Sequence, residues 1–143
     1  MSKLTLAAAE TIIAAARAKG RELKLAPLTI VVLDAGGHMV ALAREDRSGI
    51  ARVEIATGKA WGGLAIGAGS RALFDRWNSG AGFVTALAAV TQGRMVPVPG
   101  GVLIISGDGE IIGAVGISGD ISDNDEACAI AGVEAADFTP RAG

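Results

Sequence analysis

The spacing of apolar positions changes at Pro27. Before it, Leu6, Ala9, Ile13 and Ala16 recur at helical intervals, which predicts a helix over about Leu6 to Gly20. Thr5 stands where a cap is needed, Arg17 and Lys19 suit the negative end of the helix dipole, and Gly20 offers a stop. After Pro27, the run Leu28 to Leu33 is rich in β-branched residues and reads as a strand, as does His38 to Arg44. Asp34-Ala35-Gly36-Gly37 between them supplies a turn, so the two strands are predicted as a hairpin. Strand alternation sets His38, Val40 and Leu42 on one face and Met39, Ala41 and Ala43 on the other. That gives His38 apolar company and a sheltered position.

Beyond the polar loop Glu45 to Gly49, the residues Ile50, Val53, Thr57, Ala60 and Leu64 share one face of a helix predicted over Ile50 to Ile66. Gly58 and Gly62, and Gly63 and Gly67, are four apart, a spacing that lets another backbone approach closely. A short helix over Ser70 to Trp77 is broken by Asn78-Ser79-Gly80, and a further helix spans Phe83 to about Gln92. Each proline in Val96-Pro97-Val98-Pro99-Gly100-Gly101 removes a ladder donor, so this segment is expected as an edge strand turning a corner. Val102 to Ile105 and Glu110 to Ile117 are strands about an Asp-Gly turn. A last helix starts near Ser122, where Ser122 and Asp125 have capping-box spacing, and it ends near Ala136 before Pro140 and a loose tail. Helices grouped around hairpin-linked strands make an α+β architecture, one antiparallel sheet with helical layers.

At 143 residues the chain is expected to form a single domain, 1–143. Half of it is apolar and its mean hydropathy is +0.45, yet no stretch reaches the roughly 18 apolar residues of a membrane span. Glu10 interrupts the N-terminal apolar run early, so no signal peptide is read and a cytoplasmic protein is expected. High hydropathy without a span implies apolar surface buried between copies, hence a homo-oligomer. The net charge of −2 and the absence of a Lys/Arg cluster argue against nucleic acid as a partner. With one cysteine, Cys128, and one histidine, His38, neither an intramolecular disulfide nor a usual zinc site can be assembled.

Several segments, in order along the chain, carry a resemblance. They are Leu33-Asp34-Ala35-Gly36-Gly37-His38-Met39-Val40, Arg44-Glu45-Asp46, Lys59-Ala60, Pro99-Gly100-Gly101-Val102, Ile112 to Gly119 and Asp123 to Ala127. Together the sequence resembles the haem-binding HbpS/GlcG family, which includes the C-terminal domain of PduO-type proteins. The resemblance covers nearly the whole chain. It implies a profilin-like α+β fold with a five-stranded antiparallel sheet, assembled into oligomers, and haem as a ligand of several relatives. Others are encoded beside catabolic enzymes. Two departures stand out: the second helix reads KAWGGLAIG where many relatives have Thr and Phe after Lys-Ala, and Gly69 to Leu73 looks like a sub-branch feature. The first helix also lacks a histidine, so relatives that ligate haem from there are no template.

The candidate ligand-binding residues are His38, Arg44, Asp46, Lys59, Gly100, Gly101 and Glu126. His38 is the sole imidazole, suited to ligate haem iron or to act as a general base, and equally a solvent-facing residue beside a turn. Arg44 carries the planar fork that suits a carboxylate, with Asp46 close by as an ion-pair partner. Lys59 is a lone cation in a small, apolar helical stretch and is expected to face a pocket. Gly100 and Gly101 are placed to present backbone N–H groups to an anion or merely to make a turn. Asp123, Asp125 and Glu126 form an acidic first helical turn without the calcium-loop pattern, so no metal site is expected. Cys128 reads as a buried, unreactive thiol, Trp61 and Trp77 as core or interface anchors, and Met39 and Met95 as core filling or soft iron ligands.

Three functional readings follow. The first is a small oligomeric haem- or tetrapyrrole-binding protein, with His38 on the iron and Arg44 and Lys59 toward the propionates. The second is an enzyme or enzyme accessory acting on a small organic acid, held at Arg44 and Lys59, with Gly100-Gly101 stabilising an oxyanion and Asp46, Glu126 or His38 moving a proton. The third is a partner-binding subunit without a ligand.

Overall fold

A computed structural model describes residues 3–143. Its elements are α1 (Leu6–Glu22), β1 (Thr29–Asp34), β2 (Met39–Arg44), α2 (Arg52–Ile66), α3 (Ser70–Ser79), α4 (Gly82–Val90), β3 (Gly101–Ile105), β4 (Ile111–Ser118), α5 (Ser122–Ala135) and β5 (Thr139–Arg141). The strands form one antiparallel sheet in the order β2-β1-β4-β3-β5. The α+β class and the five-stranded antiparallel sheet are as expected.

Both predicted hairpins are present. In the first, the Asp34 N–H donates to the His38 carbonyl (2.9 Å) and the Gly37 N–H to the Asp34 carbonyl (3.0 Å). Gly37 has φ +81°, a left-handed conformation that costs glycine nothing. In the second, the Ser106 N–H donates to the Glu110 carbonyl at 2.9 Å.

The sheet is covered on both faces. On one face, Ile30, Val32, Val102, Ile104, Val115 and Ile117 pack against Ala9, Ile12, Ile13 and Ala16 of α1 and Ala129 and Val133 of α5. On the other, Val31, Leu33, Leu103, Ile105 and Ala114 pack against Ala56 and Ala60 of α2. A third apolar cluster, Leu73, Val84 and Met95, ties α3 and α4 to the outer side of α2.

Several expectations are corrected. α1 runs through Gly20, because that glycine makes room rather than a stop: a Cβ there would lie 2.6 Å from Leu28 Cδ1. Ile50 is 95% exposed and precedes α2, and the buried face of α2 is Ala56, Gly58, Lys59, Ala60, Gly62 and Gly63. Small residues lie inward because α2 rests almost on the backbone of β3 and β4; a Cβ at Gly116 would collide with the Ala56 carbonyl. Residues 96–100 are irregular, not an edge strand, and the Val96 N–H donates to the Gly58 carbonyl of α2 at 3.1 Å. The edge is made by β5, which the tail contributes, with Pro140 opposite Ile104. An edge strand tolerates a proline because one side of its ladder is unpaired. Ser122 makes no cap; Asp125 Oδ1 accepts instead from the Asp120 N–H at 3.0 Å.

Candidate functional site

Six of the seven candidate residues fall in three places, and Glu126 stands apart on α5, against Arg71 of α3. Gly100, Gly101 and Lys59 come together where the middle of α2 packs on the sheet, beside the start of α5. His38 stands at the tip of the first hairpin. Arg44 and Asp46 lie at the far end of β2.

Lys59 points into the interior, its side chain 2% exposed, and it lines none of the three grooves described below. Its ammonium donates to the Ile117 carbonyl of β4 (2.8 Å) and to Asp125 Oδ2 of α5 (3.1 Å). The charged company absent along α2 therefore comes from another helix, and the expected pocket is a buried ion pair. Burial pushes the Lys59 ammonium down and the Asp125 carboxyl up from their ordinary values, and the opposite charge of the partner resists both shifts. The two glycines make room for this pair. Gly100 has φ +123°, and a Cβ there would lie 2.9 Å from Lys59 Nζ. The Gly101 N–H already donates to Ser70 Oγ at 2.8 Å, so it is not held open for an anion.

Glu126 receives the Arg71 guanidinium through both carboxylate oxygens, with Arg71 Nε 2.9 Å from Oε2 and Nη2 3.1 Å from Oε1. Asp123 takes the same guanidinium at 2.5 Å. Those two carboxylates hold Arg71 above its ordinary pKa. Arg71 and Lys59 thus offset most of the charge of the acidic turn, and among the described residues no group of three or more His, Cys, Asp or Glu is placed to hold a metal.

Arg44 and Asp46 line a groove of about 300 Å³ together with Arg17, Arg21 and Glu45. Glu45 is its organising carboxylate. It accepts from the Leu28 N–H (2.8 Å) and from Arg21 (3.2 Å), and Arg17 Nε lies 3.7 Å away. Sequence reasoning left Glu45 in a polar loop, because nothing local marks a side chain that turns back onto the start of β1.

His38 is not sheltered. Its ring is 81% exposed, and β2 begins one residue later, so strand alternation does not govern it. It lines a groove of about 470 Å³ whose apolar wall is Leu4, Ile111 and Ile112 and whose charged groups are Lys3, Asp34 and Glu110. Nδ1 of His38 lies 3.2 Å from Asp34 Oδ1, and the same oxygen accepts the backbone N–H groups of Gly36 (2.9 Å) and His38 (3.0 Å). The His38 N–H is the main reason that the Asp34 carboxyl sits below its ordinary value of 3.8, with the Gly36 N–H adding to it. Sequence reasoning passed over Asp34 as a turn residue; Asp four positions before a histidine is the one local signal that marks it.

Two remaining features are structural. Cys128 is buried and pushed up to about 11, chiefly by burial and then by the charge of Asp125, which keeps it a neutral thiol. Arg94 stacks over Trp61 at 4.3 Å beside a third groove of about 310 Å³. Among the described residues no helix is long and apolar enough to cross a membrane.

Comparison with known proteins places the chain as a whole. An uncharacterised 15.0 kDa protein of Citrobacter freundii, from the dhaT–dhaS intergenic region, is 31% identical over 125 residues, which span 87% of this chain and 86% of that one. The crystal structure of the Klebsiella pneumoniae protein ORFY superposes with a TM-score of 0.86 at 26% identity, covering 96% of this chain and 93% of that one. The crystal structure of a PduOC:haem complex gives the same TM-score, 0.86, and the same 26% identity, over 96% of this chain and 97% of the other. The family described as "Haem degrading protein HbpS-like" matches residues 4–134, and the chain therefore belongs to the HbpS-like family.

Proposed function

We propose that this protein binds haem or a closely related tetrapyrrole in the groove beside His38. The observation that carries the reading is the donor set itself. The sole imidazole of the chain stands exposed on a groove of about 470 Å³, with Nδ1 already engaged by Asp34 and with no hydrogen bond at Nε2 among the described residues. Leu4, Ile111 and Ile112 offer an apolar wall to a porphyrin face, and Lys3 a cation to a propionate. These residues fit the group. Haem itself would supply the iron and its redox chemistry; the chain supplies one nitrogen ligand, an apolar surface and a counter-charge. A relative of the same fold, PduOC, is known as a haem complex, which supports the reading. The cation expected from Lys59 is replaced here by Lys3, because Lys59 is engaged by Asp125.

Self-association belongs to the same reading. Helix α4 leaves Phe83 (48%) and Val90 (76%) exposed, and neighbouring Trp77 is also exposed. A second copy of the chain is the partner proposed for this apolar surface.

A second reading keeps a small organic acid at the Arg44 groove. It is favoured by one observation: Arg17, Arg21 and Arg44 line one groove, where Glu45 and Asp46 balance only part of their charge.

One titration separates the two. Haem added to the wild-type protein is expected to give a sharp, saturable Soret change, weakened at least about tenfold by His38→Ala. If neither protein binds haem, the first reading fails. Native mass spectrometry then tests for a bound acid that is lost in Arg44→Ala.

A further inference from the structure

We infer that Asp34 is the positioning residue of this site: it locks His38 in the Nδ1–H tautomer, makes Nε2 the donor atom, and biases the site toward ferric haem. The inference rests on the haem-binding reading. Its geometric half is testable without haem.

Three hydrogen bonds join the two residues. The Asp34 N–H donates to the His38 carbonyl (2.9 Å), the His38 N–H to Asp34 Oδ1 (3.0 Å), and the ring Nδ1 lies 3.2 Å from that same oxygen. A carboxylate at neutral pH only accepts hydrogen bonds, so the proton between them resides on Nδ1. In the neutral ring Nε2 then keeps its lone pair. Gly36 completes the arrangement, since a Cβ there would lie 2.9 Å from both Cε1 and Nδ1 of His38. The ring can fold back onto Asp34 only over a residue without a side chain. The DAGGH turn thus sets the rotamer and the tautomer together, before any ligand arrives.

The coordination chemistry follows. An imidazole whose second nitrogen donates to a carboxylate is a more basic ligand. The negative charge of Asp34 also lies just across the ring from the donor atom, with Oδ1 3.2 Å from Nδ1. Both effects favour the more highly charged metal ion, so iron(III) is held more tightly than iron(II). Glu110 on the same groove acts in the same direction, and Lys3 opposes it.

The single histidine makes the test direct. Protein labelled with ¹⁵N-histidine is examined by NMR at a pH about two units above the ordinary imidazole pKa of ~6.5. The wild-type ring is expected as Nδ1–H with an unprotonated Nε2, the reverse of the tautomer that free imidazole side chains favour. Asp34→Ala is expected to return it to Nε2–H. Asp34→Asn keeps an acceptor but removes the charge. It is expected to lower the preference for ferric over ferrous haem about tenfold, which for a one-electron couple is a rise of about 59 mV in midpoint potential. A wild-type ring in the Nε2–H form overturns the inference whether or not haem binds, and so does an Asp34→Asn protein with an unchanged potential. An Nδ1–H ring in a protein that leaves haem absorbance unchanged overturns the haem reading and leaves the Asp34–His38 lock standing.

Discussion

Lys59 shows how little a residue's neighbours in sequence reveal about its chemistry. It heads the large side chains that are fully buried, although it carries a full charge. Such burial is tolerable only because Ile117 and Asp125 accept its hydrogen bonds and Asp125 is held in turn by the Asp120 N–H. Removing one partner strands the other charge, at a cost of about 3–5 kcal/mol. Lys59→Met and Asp125→Leu are each expected to lower stability in urea by that order. The double variant should lose clearly less than the sum, since apolar pairs often replace buried ion pairs without penalty. Strict additivity would mean that the two side chains act separately. The isolation of Lys59 along its helix was legible in the sequence. Its partner was not, because it lies 66 positions away on a helix of mixed composition.

At the scale of elements, the hairpins and all five helices were legible because their signals are local: turn residues between β-branched runs, and a 3.6-residue period. Helix α2 was legible as a helix but not in its orientation. Its larger side chains suggested one face, and contact with the sheet selects another. The selection is made by close approach of backbones, since Gly116 lies directly under the Ala56 carbonyl. Gly116→Ala is expected to push α2 off β4 and cost about 1–3 kcal/mol or more, as overpacking does. Gly107→Ala, at a turn with nothing within 4 Å of its Cβ position, should leave the thermal midpoint nearly unchanged. Equal losses at both sites would remove the close-approach explanation. β5 was illegible for a different reason: three residues around a proline carry no strand signal and become a strand only because β3 offers a free edge.

For the molecule as a whole, α1 and α5 seal one face of the sheet, while α2 seals the centre of the other. Outside these layers α4 is held by Leu73, Val84 and Met95 and by Arg76 stacked 4.4 Å from the Phe83 ring. Its outward residues remain uncovered. If that surface joins copies of the chain, Val90→Glu should reduce the molar mass measured by light scattering during size-exclusion chromatography, with the far-UV spectrum unchanged. An unaltered mass, or a wild-type protein that is monomeric, would remove α4 from any interface. The exposure of His38 also belongs to this scale. It follows from the ring's place in the turn just before β2 begins and not from any property of the residues beside it.

What the sequence determined by itself was whatever short-range forces decide: helices, hairpins, the α+β class, the unreactive cysteine, and a resemblance strong enough to name a family. The tertiary structure alone decided which charges meet. Lys59 went to Asp125, Arg71 to Glu126 and Asp123, and Arg17 and Arg21 to Glu45, while His38 was left in solvent with Asp34. The reason is physical. Periodicity acts between residues a few positions apart, whereas an ion pair depends on distance in space, and that distance exists only once the sheet has brought remote segments together.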